Sequence, residues 1–327
     1  METYLSGIQP SGLLHIGNYF GAIRQHIQLQ QEDGEHFYFI ADYHALTSNR
    51  DPEKLREFVF ETAVTYLALG LDPAKACLFR QSDVPEVTEI AWLLATVTGM
   101  GLLERAHSFK DKVAQGVKPN VGLFTYPILM AADILAYDST CVPVGKDQVQ
   151  HVEMTQDMAG YFNQAYGEVF VRPEMRMPKA EKMQKVPGLD GQKMSKSYGN
   201  TIWIFEEGKA LKKVVNKVVT DSRPPEEPKD PEELFLFDLM ALFCDEAEVS
   251  DWKDKVRAGG EGAPGYGHLK GVIRDGMEEY FAPARARRKE LIADRAEVER
   301  ILAAGAEKAR ARATEVRDRA AKACGLR

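Results

Sequence analysis

The sequence predicts a doubly wound parallel α/β sheet followed by a smaller all-α region, on three observations. Short β-rich apolar runs alternate with amphipathic helical stretches through the first two-thirds of the chain. That alternation is the pattern of parallel strands joined by helical crossovers. Beyond it only helical periodicity remains. The division is placed at 205/206, giving a sheet-bearing domain over 1–205 and a helical domain over 206–327.

Strands are expected at 4–8, 36–41 and 76–81, each ending near polar punctuation, with helices at 15–31, 52–69 and 85–98 between them. Ligands of such a sheet bind at the carboxyl ends of its strands. Helices follow at 125–137, 147–166 and 206–219. Pro224, Pro225, Pro228 and Pro231 prevent a helix over 223–231, which reads as a linker. The stretches 232–244, 250–258, 268–281 and 283 onward are helical again, with a Gly-rich break over 259–265.

With 44% hydrophobic and 28% charged residues, the 327-residue chain belongs among ordinary globular proteins. Its most apolar stretch, 123–137, is too short to span a membrane and carries Asp133. The first residues show no basic region followed by an apolar run, so no signal peptide and a cytoplasmic location are expected. Cys77, Cys141, Cys244 and Cys324 lie far apart without CxxC spacing, which argues against structural zinc and against a disulfide framework. A net charge of −7 is unlike a nucleic-acid binder. From Arg285 to Arg327, however, thirteen Lys and Arg face seven Asp and Glu. That asymmetry is compatible with a helix facing nucleic acid, and equally with a solvated amphipathic helix.

Two segments carry phosphate chemistry. Pro10, Ser11 and Gly12 form a turn signal, after which Ile16, Tyr19, Phe20, Ile23 and Ile27 recur at helical spacing. A strand, a tight turn and a helix start follow from this, and such a start aims backbone N–H groups and the positive end of the helix dipole at one spot. His15 adds an imidazole donor there, Gly17 leaves room for a flat ring against the backbone, and Asn18 both donates and accepts. Alone, these residues fit a plain helix start with a solvated histidine equally well. The second segment, Lys193-Met194-Ser195-Lys196-Ser197, is flanked by Gly188, Gly191 and Gly199, as a mobile loop would be. Two ammonium groups three residues apart can reach a triphosphate and neutralise charge on a departing pyrophosphate. A solvated basic loop is the plainer alternative, but both segments in one chain favour activation of ATP.

The stretch 125–137 is apolar on nearly every side and yet holds one carboxylate. Tyr126, Met130 and Asp133 share a helical face at i, i+4 and i+7. Burying an ionised aspartate without a partner is costly, so Asp133 needs a donor. A core lysine or arginine would serve, as would a neighbouring helix start, and residue type alone favours such a structural role.

Taken together, these segments resemble the class I aminoacyl-tRNA synthetases, whose ATP site is built from the two motifs on a Rossmann-type sheet, and more closely the bacterial tryptophanyl-tRNA synthetases. Gly7-Ile8-Gln9-Pro10-Ser11-Gly12, then His15-Ile16-Gly17-Asn18, looks like that family's opening. So do Leu123-Phe124-Thr125-Tyr126-Pro127 with Met130-Ala131-Ala132-Asp133-Ile134-Leu135, and Val142-Pro143-Val144-Gly145 with Asp147, Gln148 and His151. The resemblance runs in register from about residue 4 to about residue 205 and continues more weakly beyond. It implies a tryptophan–tRNA ligase, acting through tryptophanyl-adenylate with ATP carrying Mg²⁺, on tRNA(Trp), as a homodimer without membrane association.

By the same resemblance, Gln9, Ser11, Gly17, Asn18, Met194, Ser195 and Asp147 bind ATP. His15, Asn18, Lys112, Lys193 and Lys196 act on its phosphates. Asp133 accepts the indole N–H, Tyr126 and Gln148 take the substrate ammonium, and Gln9 takes its carboxylate. Leu5, Met130, Val142 and Val144 wall the indole, and His44 orients pocket side chains or is simply a satisfied histidine. Residues 206–327 correspond to a helical domain that reads the anticodon. Leu5 departs from the Phe of some members, and Lys146 from a common acidic residue. Some relatives carry a C-terminal four-cysteine iron–sulfur site, for which only Cys244 is available here. Three alternatives stay open: a tyrosyl-tRNA synthetase, an adenylyltransferase of cofactor synthesis, and a non-catalytic tryptophan- or RNA-binding paralogue.

Overall fold

The computed structural model describes residues 1–106, 109, 116, 118–145, 148–177 and 186–327. They form two compact units, one of Met1–Gly12, Gln25–Lys179 and Leu291–Arg327, the other of Leu13–Arg24 and Ala180–Glu290.

The first unit is built on β1 (Thr3–Ile8), β2 (Glu35–Ile40), β3 (Cys77–Arg80), β4 (Cys141–Pro143) and β5 (Glu174–Arg176), in the order β3-β2-β1-β4-β5. All neighbours are parallel, with Leu5 opposite Phe37, Phe37 opposite Cys77 and Tyr4 opposite Cys141. The chain thus builds outward from β1 through β2 and β3, then returns to lay β4 and β5 on the other side. The carboxyl ends of β1 and β4 therefore flank a switch point, where open α/β sheets bind ligands. The first three strands lie where expected. The other two escape the sequence pattern, because three residues, one of them Pro143, are too few for an alternation to register.

Helices α1 (Asp42–Ala45), α2 (Pro52–Ala68), α3 (Glu86–Val97), α4 (Met100–Glu104), α5 (Val121–Leu135) and α6 (Val149–Tyr166) accompany the sheet. The start of α2 is fixed by Asp51, whose carboxylate accepts from the Glu53 and Lys54 N–H groups, and by Pro52 in the first turn. Asn120 caps α5 in the same way through the Leu123 N–H at 2.9 Å. Phe37, Phe79, Ile90, Ile134 and Phe162 belong to the core that these elements enclose.

The second unit holds the turn Ile16–Asn18, a π-type turn Tyr19–Ile23, α7 (Gly208–Val215), α8 (Leu236–Met240), α9 (Glu246–Ala258), α10 (Tyr266–Tyr280) and the first residues of α11 (Ala282–Ala293). The long α12 (Arg295–Ala323) belongs to the first unit. The single helix expected over 15–31 is therefore interrupted, and the one expected over 232–244 shrinks to α8 behind a 3-10 turn at Pro231–Glu233.

These units are cut differently from the 205/206 division: Leu13–Arg24 and 180–205 go with the helical unit, and Leu291–Arg327 with the sheet unit. Leu13–Arg24 joins the helical unit because Tyr19 and Phe20 pack edge-on against Phe243, Tyr280 and Phe281, with ring centroids 4.9–6.5 Å apart across the cluster. The Tyr19 and Tyr280 hydroxyls meet at 3.0 Å. Helix α12 joins the sheet because its buried face, Leu302, Ala306, Ala309, Ala313 and Val316, lies against β3 and α3. At Gly305 the approach is so close that a Cβ would stand 2.1 Å from the Leu78 carbonyl oxygen, so no larger residue fits without displacing the strand.

The same docking gives four arginines of the basic C-terminal stretch partners within the chain. Arg310 pairs with Glu86 at 2.9 Å, Arg312 with Glu35 at 2.6 Å, Arg317 with Glu89 at 3.7 Å, and Arg319 with Asp138. Burial pushes the Glu86 carboxyl up, but the Arg310 hydrogen bond and charge, a backbone hydrogen bond and the Arg317 charge together hold the group below its usual range. These arginines fasten α12 to the sheet unit.

Candidate active site

The residues expected to handle tryptophan belong to the sheet unit, as do Gln9 and Ser11 of the ATP set, while the two phosphate motifs belong to the helical unit.

In the sheet unit, Gln9, His44, Gln81 and Val144 follow the carboxyl ends of β1, β2, β3 and β4, with Gln9 and Val144 at the switch point. Asp133 on α5 is 1% exposed. Its donors are neither lysine nor arginine: His44 Nε2 donates to Oδ2 at 2.8 Å, and Gln81 Nε2 donates to Oδ1 and Oδ2 at 2.8 and 2.9 Å. A carboxylate offers about four lone-pair positions, so one acceptor position remains after these three contacts. Burial pushes the Asp133 carboxyl up from its usual range, and the His44 and Gln81 hydrogen bonds oppose that rise.

Gln81 was not singled out in the sequence, and its orientation is fixed by the backbone. The Tyr43 N–H donates to Gln81 Oε1 at 3.1 Å, which leaves Nε2 to face Asp133. A second latch reinforces the first: Asp42 Oδ1 accepts from the Ser82 N–H at 2.9 Å, and the Ser82 hydroxyl donates to Oδ2. The turns after β2 and β3 are thereby tied together, carrying His44 and Gln81 to one carboxylate.

Tyr126 lies on the same face of α5, its ring 6.2 Å from that of His44 and its hydroxyl 2.6 Å from His151 Nε2. Leu5, Val142 and Val144 are buried in the core cluster, and Met130 packs against it half-buried. Gln9 is exposed and donates to the His44 carbonyl at 3.3 Å, while half-buried Gln148 opens α6. Ser11 is exposed. Asp147 lies outside the described residues, as do Lys146 and Lys112.

In the helical unit the two phosphate motifs meet. The Ile16 N–H donates to the Ile202 carbonyl at 2.9 Å, and the Ile204 N–H to the Leu14 carbonyl at 3.1 Å. A Cβ on Gly17 would stand 2.9 Å from His15 Nδ1 and 3.2 Å from Met194 Cβ, so glycine is what lets the motifs close on each other. Two backbone donors expected to face an anion are already used, Ile16 by Ile202 and Asn18 by His15. The imidazole remains. His15 Nδ1 accepts from the Asn18 N–H at 3.3 Å, which assigns the ring proton to Nε2. Burial, together with the nearby Lys196 charge, lowers His15 to about 4, so at neutral pH it is an uncharged donor.

The segment around Lys193–Ser197 is laced rather than open. The Met194 N–H donates to the Val186 carbonyl at 2.9 Å, opposite an antiparallel bridge between Pro187 and Lys193. Buried Asn200, also missed in the sequence, clasps the far side. Its Oδ1 accepts from the Ser195 N–H at 2.8 Å, and its Nδ2 donates to Asp190 at 2.7 Å and to the Lys193 carbonyl at 3.3 Å. Lys196 lies with its ammonium 5.9 Å from the Trp203 ring centre, and burial lowers it to about 8. Lys193 is exposed. Among the described residues, no group of three or more His, Cys, Asp or Glu is placed to hold a metal ion.

A parallel sheet with a buried carboxylate reached from the ends of its strands, in a chain whose other unit joins a neutral histidine to a lysine loop, fits a nucleotide-activating protein of the synthetase type. The family model for class I tRNA synthetases (W and Y) matches residues 2–257, and the chain belongs to that family. It is similar to the tryptophan–tRNA ligase of Rhodopirellula baltica, 59% identical over 326 residues, with 99% of each chain covered. The crystal structure of the Campylobacter jejuni tryptophanyl-tRNA synthetase complexed with ADP and tryptophan superposes with a TM-score of 0.92 at 48% identity, covering 99% of this chain and 100% of that one. The tyrosyl-tRNA synthetase of Archaeoglobus fulgidus complexed with L-tyrosine reaches 0.66 at 20% identity, covering 88% of this chain and 90% of that one, a likeness of fold alone. No helix among the described residues is long and apolar enough to cross a membrane.

Proposed function

We infer that the chain is a tryptophan–tRNA ligase. It activates L-tryptophan with ATP to tryptophanyl-adenylate and pyrophosphate, then transfers the tryptophan to the 3′-terminal ribose of tRNA(Trp). The observation that carries the amino-acid assignment is buried Asp133, held by Gln81 and His44 with one acceptor position left for an indole N–H. A site built around such an acceptor rejects phenylalanine, which would leave it unpaired. Tyr126 and Gln148 are assigned to the substrate ammonium, Gln9 to its carboxylate, and Leu5, Met130, Val142 and Val144 to the indole walls.

In the first step a tryptophan carboxylate oxygen bonds to the α-phosphorus, and the bond to the bridging oxygen breaks, with its electrons leaving on pyrophosphate. No side-chain nucleophile is needed, because positioning and charge neutralisation carry such transfers. Neutral His15 donates Nε2–H to phosphate oxygen, Lys193 and Lys196 neutralise the departing charge, and Gly17 leaves backbone for the adenine to lie against. Asn18, Ser11, Met194 and Ser195 complete the nucleotide's surroundings, and Lys112 and Asp147 keep the roles that the resemblance implies. Mg²⁺ enters with the nucleotide phosphates, which suits an ion that keeps much of its water. In the second step the terminal ribose hydroxyl attacks the adenylate carbonyl and AMP leaves.

Tryptophan is expected to support exchange of pyrophosphate into ATP, and tyrosine and phenylalanine to fail. Exchange with tyrosine equal to that with tryptophan would overturn the assignment.

We further assign the chain to the cytoplasm and to a homodimer. Trp92, Met100 and Val121 stand 70%, 62% and 77% exposed on α3, α4 and α5, of which α5 packs against the other two. Exposed apolar side chains on adjoining helices fit a subunit contact. Sedimentation at micromolar concentration is expected to give the mass of two chains, and a stable monomer would refute the pairing.

A further inference from the structure

We propose that the exposed lysine stripe of α7, and not the basic C-terminal helix, binds the phosphate backbone of tRNA. The proposal rests on the tRNA-ligase reading and locates the RNA contact within it. From residue 208 to residue 220 the chain carries Lys209, Lys212, Lys213 and Lys217 and no acidic residue. Leu211 and Val215 turn inward, and α7 lies against α10, so all four lysines are exposed.

The nearby carboxylates have other partners. Glu207 pairs with Arg285 at 3.5 Å and Lys289 at 3.4 Å, while Glu278 takes the Gly208 N–H at 2.5 Å and Arg285 at 3.1 Å. None of the four lysines has an ion pair among the described residues. The contrast with α12 decides between the two basic helices, because there Arg310, Arg312, Arg317 and Arg319 are each bound to a carboxylate.

A partner for this stripe must bring negative charge in a row. On a rise of about 1.5 Å per residue, Lys209 and Lys213 stand roughly 6 Å apart along one face, and Lys217 continues the line just past the helix end. Flexible lysine stems then reach successive phosphates of one strand without reading its bases. The stripe also belongs to the same compact unit as Lys193 and Lys196.

The test is the triple variant Lys209→Glu, Lys213→Glu and Lys217→Glu, assayed beside the Gln-substituted triple, which keeps the stems. Tryptophan-dependent pyrophosphate exchange should stay within about twofold, while KM for tRNA rises about tenfold or more and the salt slope of tRNA affinity falls by roughly two to three. The Gln triple should move KM and slope in the same direction and by less. If exchange persists in both triples while KM and slope are unchanged, the stripe is a solvated face and the proposal fails. Binding of the unaltered chain to phosphatidylserine vesicles, with tRNA KM unaffected by either triple, would assign the lysines to a lipid surface and overturn it equally. Failure of the unaltered chain to exchange pyrophosphate with tryptophan would instead strike the ligase reading itself.

Discussion

Replacing Lys196 by alanine is expected to slow adenylate formation by about 10²–10³ while tryptophan affinity stays within about twofold, because a preorganised contact to developing phosphate charge is lost. The ammonium lies beside the Trp203 ring, where burial lowers it to about 8. A bound triphosphate restores the charged form. Near pH 8 the free group is about half protonated, so nucleotide binding should take up about half a proton, and the uptake should vanish near pH 6.5. Calorimetry in buffers of different ionisation enthalpy reads this directly. Lys196→Arg, charged at every working pH, should abolish the uptake and retain binding. Stopped-flow measurement of an unchanged activation rate in Lys196→Ala would contradict the assignment.

Lys196 and His15 set stability trends of the same sign in two separate pH windows. Because Lys196 is lowered from 10.5 to about 8 on folding, its unfavourable contribution is complete below about 8 and is relieved as pH rises toward 10.5. His15 is lowered from 6.5 to about 4, so stability is lost as pH falls through that window, where the unfolded chain takes a proton that the folded chain refuses.

The phosphate motifs were legible because each is a short linear run whose residue types name their chemistry. What the sequence withheld is what laces them. Asn200 closes the lysine loop by pairing with positions five to ten residues away, and Trp203 meets His15 across most of the domain. Gln81 reaches Asp133 over 52 positions, and no local pattern distinguishes it from any other polar residue after a strand. Periodicity placed β1 to β3, and failed for β4 and β5, whose three residues are extended through their neighbours in the sheet. Charge counting on α12 left two readings open for a related reason. It registers cations but not their partners, and Glu86 lies 224 positions from Arg310.

Removing the Asp133 carboxylate has the other large expected effect. Asp133→Ala should weaken tryptophan binding by about 1–3 kcal/mol, the cost of leaving a buried donor unpaired, with ATP affinity nearly intact. The second half of that expectation follows because His15 and Lys196 are positioned by contacts within the other unit. The substitution also strips the Gln81 amide of its partner in a site 1% exposed, so a thermal melt must accompany the titration. A globally unfolded Asp133→Ala protein would mean that the carboxylate holds the fold and not the substrate. Gln81→Met separates the two roles, because it removes a donor to Asp133 while nearly preserving volume. With both Gln81 hydrogen bonds gone and His44 left to oppose it, burial should push the Asp133 carboxyl further up. Tryptophan affinity should then be lost at a higher pH on the acid side than in the unaltered protein, and an acid limb left where it was would show that Gln81 only fills space.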